Sequence, residues 1–177
     1  VILKFESTYQ TYHSTHAFSK LVADYLDGVE ALHPFYTYSP DWQGIEKSIA
    51  TRGFSAANRK VLTAQLASAY DGCANVEKAM QQIRKLENEN TFTVCTAHQP
   101  NILTGPLYFI YKIMHCIVLA NELNLRYPDK HFIPIYFMGA EDADLQELGF
   151  VNINGEKLQW HTKQRGAVGR MYVDDAL

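Results

Sequence analysis

The chain has 177 residues, with 16 Lys and Arg against 19 Asp and Glu and a formal net charge of −3. This slightly acidic balance excludes a protein that coats nucleic acid, because neutralising phosphates needs a Lys/Arg excess. A hydrophobic content of 47% excludes a disordered acidic tail and allows one well-packed core.

Residues 1–90 read as a helical region. Ser19 is placed to cap a short helix carrying Leu21, Val22, Tyr25 and Leu26, which Gly28 stops. Asp41 opens a second helix ending near Gly53. Ser55 caps a third, with Val61, Leu62, Leu66 and Ala69 as its apolar stripe up to Gly72. Asn75 precedes a fourth, where Val76, Met80, Ile83 and Leu86 recur at helical spacing opposite a solvated face of Glu77, Lys78, Gln82 and Lys85. Nothing in this half gathers reactive groups.

Residues 91–177 change character. Phe92 to Thr96 is short, apolar and β-branched, as a strand should be. A polar loop from Ala97 to Gly105 leads into a helix from Pro106 to about Leu125, apolar almost all round and expected to be buried. Pro128 and Asp129 end it, and Phe132 to Met138 reads as a second strand. Strand, helix and strand make a βαβ unit with parallel strands. Further on, Val151 to Ile153 and Lys157 to Trp160 flank Asn154-Gly155, a strong hairpin signal. The apolar run from Ile102 to Ala120 carries Pro106, Lys112 and His115, so it is expected to pack inside a protein and not to span a membrane.

Cys73, Cys95 and Cys116 are odd in number and far apart, forming neither a disulfide framework nor a zinc motif, which points to a reducing cytoplasm. Cys95 and Cys116 lie in apolar runs and are expected as core residues. The first residues of this sequence show no charged n-region followed by a short apolar h-region. The chain begins with Val1 and closes on Asp174-Asp175-Ala176-Leu177 without an end signal, and is expected to be part of a longer protein.

Parallel strands direct their C-terminal ends to one edge of the sheet, where open α/β sheets bind ligands. Two polar clusters fall there. In the first, Thr96 to Pro106, Thr104 or Gly105 can cap the helix and Pro106 suits its first turn, leaving N–H groups and the helix dipole to favour a phosphate or carboxylate. Lys112 can reach the same edge, and His98 can shuttle a proton. The second cluster places Glu141, Asp142, Asp144 and Glu147 within seven residues. Such carboxylates can hold Mg²⁺ beside phosphates, hold a substrate amine, or form an acidic helix N-terminus. Near the end, Lys163, Arg165 and Arg170 surround Gly166 to Gly169, a basic loop that either closes over phosphates or stays exposed.

Thr96–Lys112 (TAHQPNILTGPLYFIYK), Pro134–Asp144 (PIYFMGAEDAD) and Gly166–Met171 (GAVGRM) together resemble the cysteine-adding enzymes of bacillithiol biosynthesis. Phe18 to Leu21 and Asp24 to Leu26 fit as well, so the resemblance covers essentially this whole chain but only the N-terminal part of the longer family protein. It departs where the commoner pattern has Gly-Gln-Gln at Ala97-His98-Gln99, Gly at Asn101 and His at Ala143.

The resemblance implies an α/β fold: a Rossmann-like, nucleotidyltransferase-type sheet core begun in residues 91–177 after the helical region of residues 1–90, and incomplete within this chain. It implies a bacterial, cytoplasmic carbon–nitrogen ligase that joins the carboxylate of cysteine to the amine of glucosaminyl-malate, an amino-sugar malate conjugate. Activation of the carboxylate would use ATP with Mg²⁺, most simply as an adenylate. His98, Asp142 and Asp144 are then the expected catalytic residues. Gln99, Asn101, Thr104, Gly105, Lys112, Glu141 and Arg170 are expected to bind nucleotide or substrate. No residue is assigned as a resident metal ligand. The longer protein is expected to form a homodimer, this chain alone is expected to be inactive, and neither nucleic acid nor membrane is an expected partner. A metal-dependent hydrolase built on the acidic cluster and a non-catalytic nucleotide-binding module are the alternatives.

Overall fold

The computed structural model describes residue 4 and residues 6–103, 105–141 and 144–176. The chain divides into two compact units, residues 1–53 and 54–177. The first contains helices α1 (Tyr12–Thr15), α2 (Lys20–Leu26) and α3 (Trp42–Thr51), with a 3₁₀ segment, Glu30–Phe35, between α2 and α3 along the chain. The expected caps form: Ser19 accepts from the Val22 amide, and the Asp41 carboxylate accepts from the Gly44 amide at 2.7 Å. Each satisfies an amide that has no partner within its helix.

The second unit begins with α4 (Ala56–Ser68), capped by Ser55, and α5 (Glu77–Lys85). The expected stripe of α4 is only partly right. Val61 and Ala69 are exposed, while Arg59 and Thr63 are buried. Arg59 turns inward because it has carbonyls to serve: its Nη1 donates to Leu86 O (2.9 Å) and Thr91 O (3.0 Å), and its Nη2 to Glu89 O (3.1 Å). Phe54 lies against the same guanidinium. Arg59 thereby ties α4 to the end of α5 and to the segment entering the first strand. For this reason the compact units part at Gly53, although the sequence changes character near residue 90.

Strands β1 (Thr91–His98) and β2 (His131–Met138) pair in parallel, from Thr91 opposite His131 to His98 opposite Met138. Helix α6 (Leu107–Arg126) connects them and packs across both. Cys116, Ala120 and Leu123 form its buried face, and the Cys116 thiol, raised in pKa by burial, donates to Val94 O at 3.0 Å. The rest of α6 departs from expectation. Leu107, Tyr111, Met114 and Val118 are exposed, so the helix is covered on its sheet side but not all round. Cys95 is likewise exposed, not a core residue. Strand alternation puts Phe92, Val94, Thr96 and His98 toward α6 and turns Thr93, Cys95 and Ala97 to the other, open face.

Beyond β2, the short helix α7 (Leu145–Leu148) leads into a hairpin of β3 (Phe150–Ile153) and β4 (Glu156–Gln159). Asn154 and Gly155 turn it with φ values of 53° and 85°, the left-handed pair that a tight hairpin needs. A final 3₁₀ turn spans Val168–Arg170. Among the described residues, no helix is long and apolar enough to cross a membrane.

Replacing Arg59 by Met keeps the volume but strands three carbonyls that a charged donor now satisfies. Arg59→Met should lower unfolding stability by about 2–4 kcal/mol. A urea titration checks this, with the midpoint falling at unchanged slope; an unmoved midpoint would count against the role given to Arg59.

Candidate functional site

The two clusters meet at the C-terminal edge of the parallel pair. The Gly139 amide, just past β2, donates to His98 O at 2.9 Å, and the Tyr136 hydroxyl donates to the same carbonyl at 3.1 Å. Burial raises the Tyr136 phenol above its usual pKa, so it stays protonated as that donor. On the helix side, Lys112 Nζ donates to Ala97 O at 2.6 Å. Lys112 therefore reaches the expected edge, with its ammonium engaged on the strand's own backbone.

His98 is the centre of the first loop. Its Nε2 lies 2.8 Å from the Tyr108 hydroxyl, and its Nδ1 lies 3.0 Å from Gln99 O and 3.1 Å from Asn101 Nδ2. The Asn101 amide also donates to Gln99 O at 3.1 Å. With its proton on Nδ1 the ring donates to Gln99 O, and Asn101 Nδ2 then donates to that same oxygen and not to the ring. We assign this tautomer because it leaves no two acceptors opposed at Gln99 O. Nε2 then accepts from Tyr108, which is exposed on the first turn of α6. The histidine is thereby linked to solvent through a phenol. Tyr108 escaped the sequence reading because an aromatic in an apolar helical run looks like packing; its place on the first turn, beside a polar loop, was the available signal.

The start of α6 differs from expectation. Pro106 is the N-cap, not a first-turn residue, and Gly105 precedes it with φ 60°. Proline has no side-chain oxygen, so Pro106 itself makes no side-chain cap bond. The first-turn amides, Leu107 and Tyr108 among them, have no acceptor within the helix and point toward the loop. Thr104, expected either to cap or to bind, lies outside the described residues, as do Asp142 and Ala143.

The acidic cluster is drawn apart. Glu141 accepts from Arg170 Nη2 through both oxygens, at 2.7 and 2.5 Å, and that guanidinium holds its carboxyl below the usual value. Asp144 caps α7 by accepting from the Gln146 amide at 2.8 Å. Glu147 borders a cleft of about 620 Å³ between the start of α6 and the α7–β3 segment, together with Asn101, Gly105, Leu107, Tyr108 and Asn152. Among the described residues, no three His, Cys, Asp or Glu side chains converge as metal ligands. His98, Gln99, Asn101, Gly105 and Lys112 are thus gathered at one edge, and Glu141 with Arg170 forms a pair beside β2, whereas Asp144 is turned to local capping.

Residues 6–177 match the family model described as "Bacillithiol biosynthesis BshC, N-terminal Rossmann-like domain". The chain is 42% identical over 164 residues to "Putative cysteine ligase BshC" of Flavobacterium psychrophilum, covering 91% of this chain and 31% of that protein. It is 39% identical over 166 residues to the protein of the same name from Flavobacterium johnsoniae, covering 93% and 31%. With that of Cytophaga hutchinsonii it shares 41% over 153 residues, covering 86% and 29%. The chain therefore spans about three-tenths of the length of these curated relatives. The parallel strand–helix–strand arrangement agrees with the Rossmann-like match.

Gly105 permits the close approach of Asn101 to the loop backbone. A Cβ there would stand 2.6 Å from Asn101 Cγ, on a left-handed backbone that side chains disfavour. Gly105→Ala should cost about 1–2 kcal/mol and shift the His98 ring resonances as Asn101 is displaced. Chemical denaturation and ring ¹H–¹³C spectra check both parts, and unmoved His98 signals would contradict the coupling.

Proposed function

This chain belongs to the bacillithiol biosynthesis BshC family as its N-terminal Rossmann-like domain, and on that premise we propose that it carries the carboxylate-activating site of a carbon–nitrogen ligase. The relatives' name supplies the cysteine. The second substrate is the amine of an amino-sugar malate conjugate, joined to the cysteine carboxylate as an amide.

The observation that supports this reading most is the direct junction of the two loops, Gly139 N–H to His98 O, beside the first-turn amides of a helix whose N-cap is a proline. An amide cannot form from a free carboxylate without a better leaving group, so the site must bind a polyanion and a carboxylate together. ATP with Mg²⁺ would supply that leaving group when bound. The residues fit a phosphate: amides at the start of a 20-residue helix favour negative charge, and Gly105 leaves the backbone approachable. Asn101 and Gln99 add neutral polar groups that orient without charge. Thr104 is assigned to the same anion.

The attacking amine must lose a proton as the new C–N bond forms. His98, with Nε2 reached through Tyr108, is the group assigned to take it. The amine itself is assigned to Glu141 and Asp142, carboxylates being the natural partners of an ammonium, and to Asp144 through the carboxylate oxygen that its cap on α7 does not use. Arg170, now on Glu141, is assigned to the substrate carboxylate or a phosphate and would release Glu141 when that anion arrives.

Titrating the chain with ATP, with and without Mg²⁺ and cysteine, tests the reading. Binding should tighten with Mg²⁺ and fall about tenfold in Thr104→Ala, as expected for loss of one hydrogen bond to a charged group. In the longer protein, alanine at Thr104 or Asp142 should abolish amide formation while leaving the fold intact. Divalent metal bound without ATP would favour a hydrolase, and no ligand at all would favour an interaction module.

A further inference from the structure

Residues 160–176 carry a hydrogen-bonded clasp that neither the family match nor the expected site assigns. Its hub is Asp174. The Trp160 indole N–H donates to Oδ1 at 2.7 Å, the Thr162 hydroxyl to Oδ2 at 2.7 Å, and Gln164 Nε2 to Oδ2 at 3.3 Å. Gln164 then joins the two arms of the strap directly, donating to Tyr172 O at 2.7 Å and accepting from the Tyr172 amide at 2.9 Å. So many donors hold the Asp174 carboxyl down to about 2, led by the indole and the hydroxyl. The clasp therefore holds above the ordinary carboxylate range and loosens only as pH falls toward 2.

The clasp is fixed to the domain and not only to itself. Trp160 is buried, and its amide donates to Gly149 O at 2.8 Å, next to α7. The strap then bends at Gly166, with φ 102°, and its 3₁₀ turn lies against the loop after β2. There Gly169 has no room for a Cβ, which would run into Ala140, and Arg170 reaches Glu141. One end of the strap is thus tied at Asp174 and the other delivers a guanidinium to the sheet edge.

We propose that Asp174 is the positioning residue for Arg170: by clasping Trp160, Thr162 and Gln164 it sets the strap at the length and angle that puts the Arg170 guanidinium beside Glu141. Its use in the reaction rests on the assignment of Arg170 to substrate. Arg170 and Glu141 are both exposed, and an exposed pair between two long side chains has little energy of its own to hold this geometry. The clasp supplies the order that the pair cannot.

The test follows the Glu141 carboxyl by ¹³C NMR titration of the chain, alongside ATP–Mg²⁺ affinity. Arg170→Ala returns Glu141 to the ordinary carboxylate range. Asp174→Ala should do the same from a distance, whereas Asp174→Asn, which keeps an acceptor for the indole, should restore most of the wild-type titration. Thr162→Val removes one arm and should shift Glu141 the same way by less, which guards against a misfolded alanine variant. ATP should bind about fivefold more weakly in Asp174→Ala and in Arg170→Ala, and the double variant no more weakly than Arg170→Ala alone. A wild-type Glu141 titration in Asp174→Ala would overturn the proposal, as would independent effects on affinity. If the wild-type chain binds no ATP, the nucleotide reading fails and the carboxyl titration alone decides the clasp.

Discussion

Parallel pairing of β1 with β2 is the constraint on which the rest depends. Parallel strands cannot be joined by a short turn, so the chain must cross back through α6, and both exits then open on the same edge. The register is held at both ends. At the N-terminal end, Asn124 on α6 takes the Phe132 amide and donates to Phe132 O, covering the start of β2, while Arg59 satisfies the carbonyls entering β1. At the C-terminal end, Tyr136 and Gly139 share the His98 carbonyl and Lys112 takes that of Ala97.

This arrangement shapes the electrostatics of the edge. Among the described residues, several charged side chains there are already engaged, Lys112 on backbone, Glu141 and Arg170 on each other and Asp144 on the amide of Gln146, while Glu147 borders the cleft. What faces a ligand is mostly neutral, namely helix amides, Asn101, and the His98–Tyr108 pair. Such a site favours an anion through preorganised dipoles, and keeps its strongest charges in an ion pair that an incoming anion or amine can divide.

The elements were legible where a local rule decides them. Ser19, Asp41 and Ser55 cap as their types dictate, the βαβ pattern follows from periodicity, and Asn154-Gly155 turns the hairpin. Legibility failed where a residue's role depends on a partner far along the chain. Arg59 looks like a surface residue until the carbonyls of Leu86, Glu89 and Thr91 are brought to it. Asp174 looks like an end of chain until Trp160 and Thr162 fold back onto it. The Rossmann-like family could be read from motifs, because they are contiguous. The buried all-round helix could not, because hydrophobicity marks a face that can be covered without saying whether it is.

Mapping ATP–Mg²⁺ onto the ¹⁵N-labelled chain tests the central claim, that the shared edge of the parallel pair is the ligand site. Amide shifts should concentrate at His98, Asn101, Gly105, Leu107, Tyr108 and Gly139, on both loops at once. Shifts confined to one loop, or lying away from this edge, would contradict it.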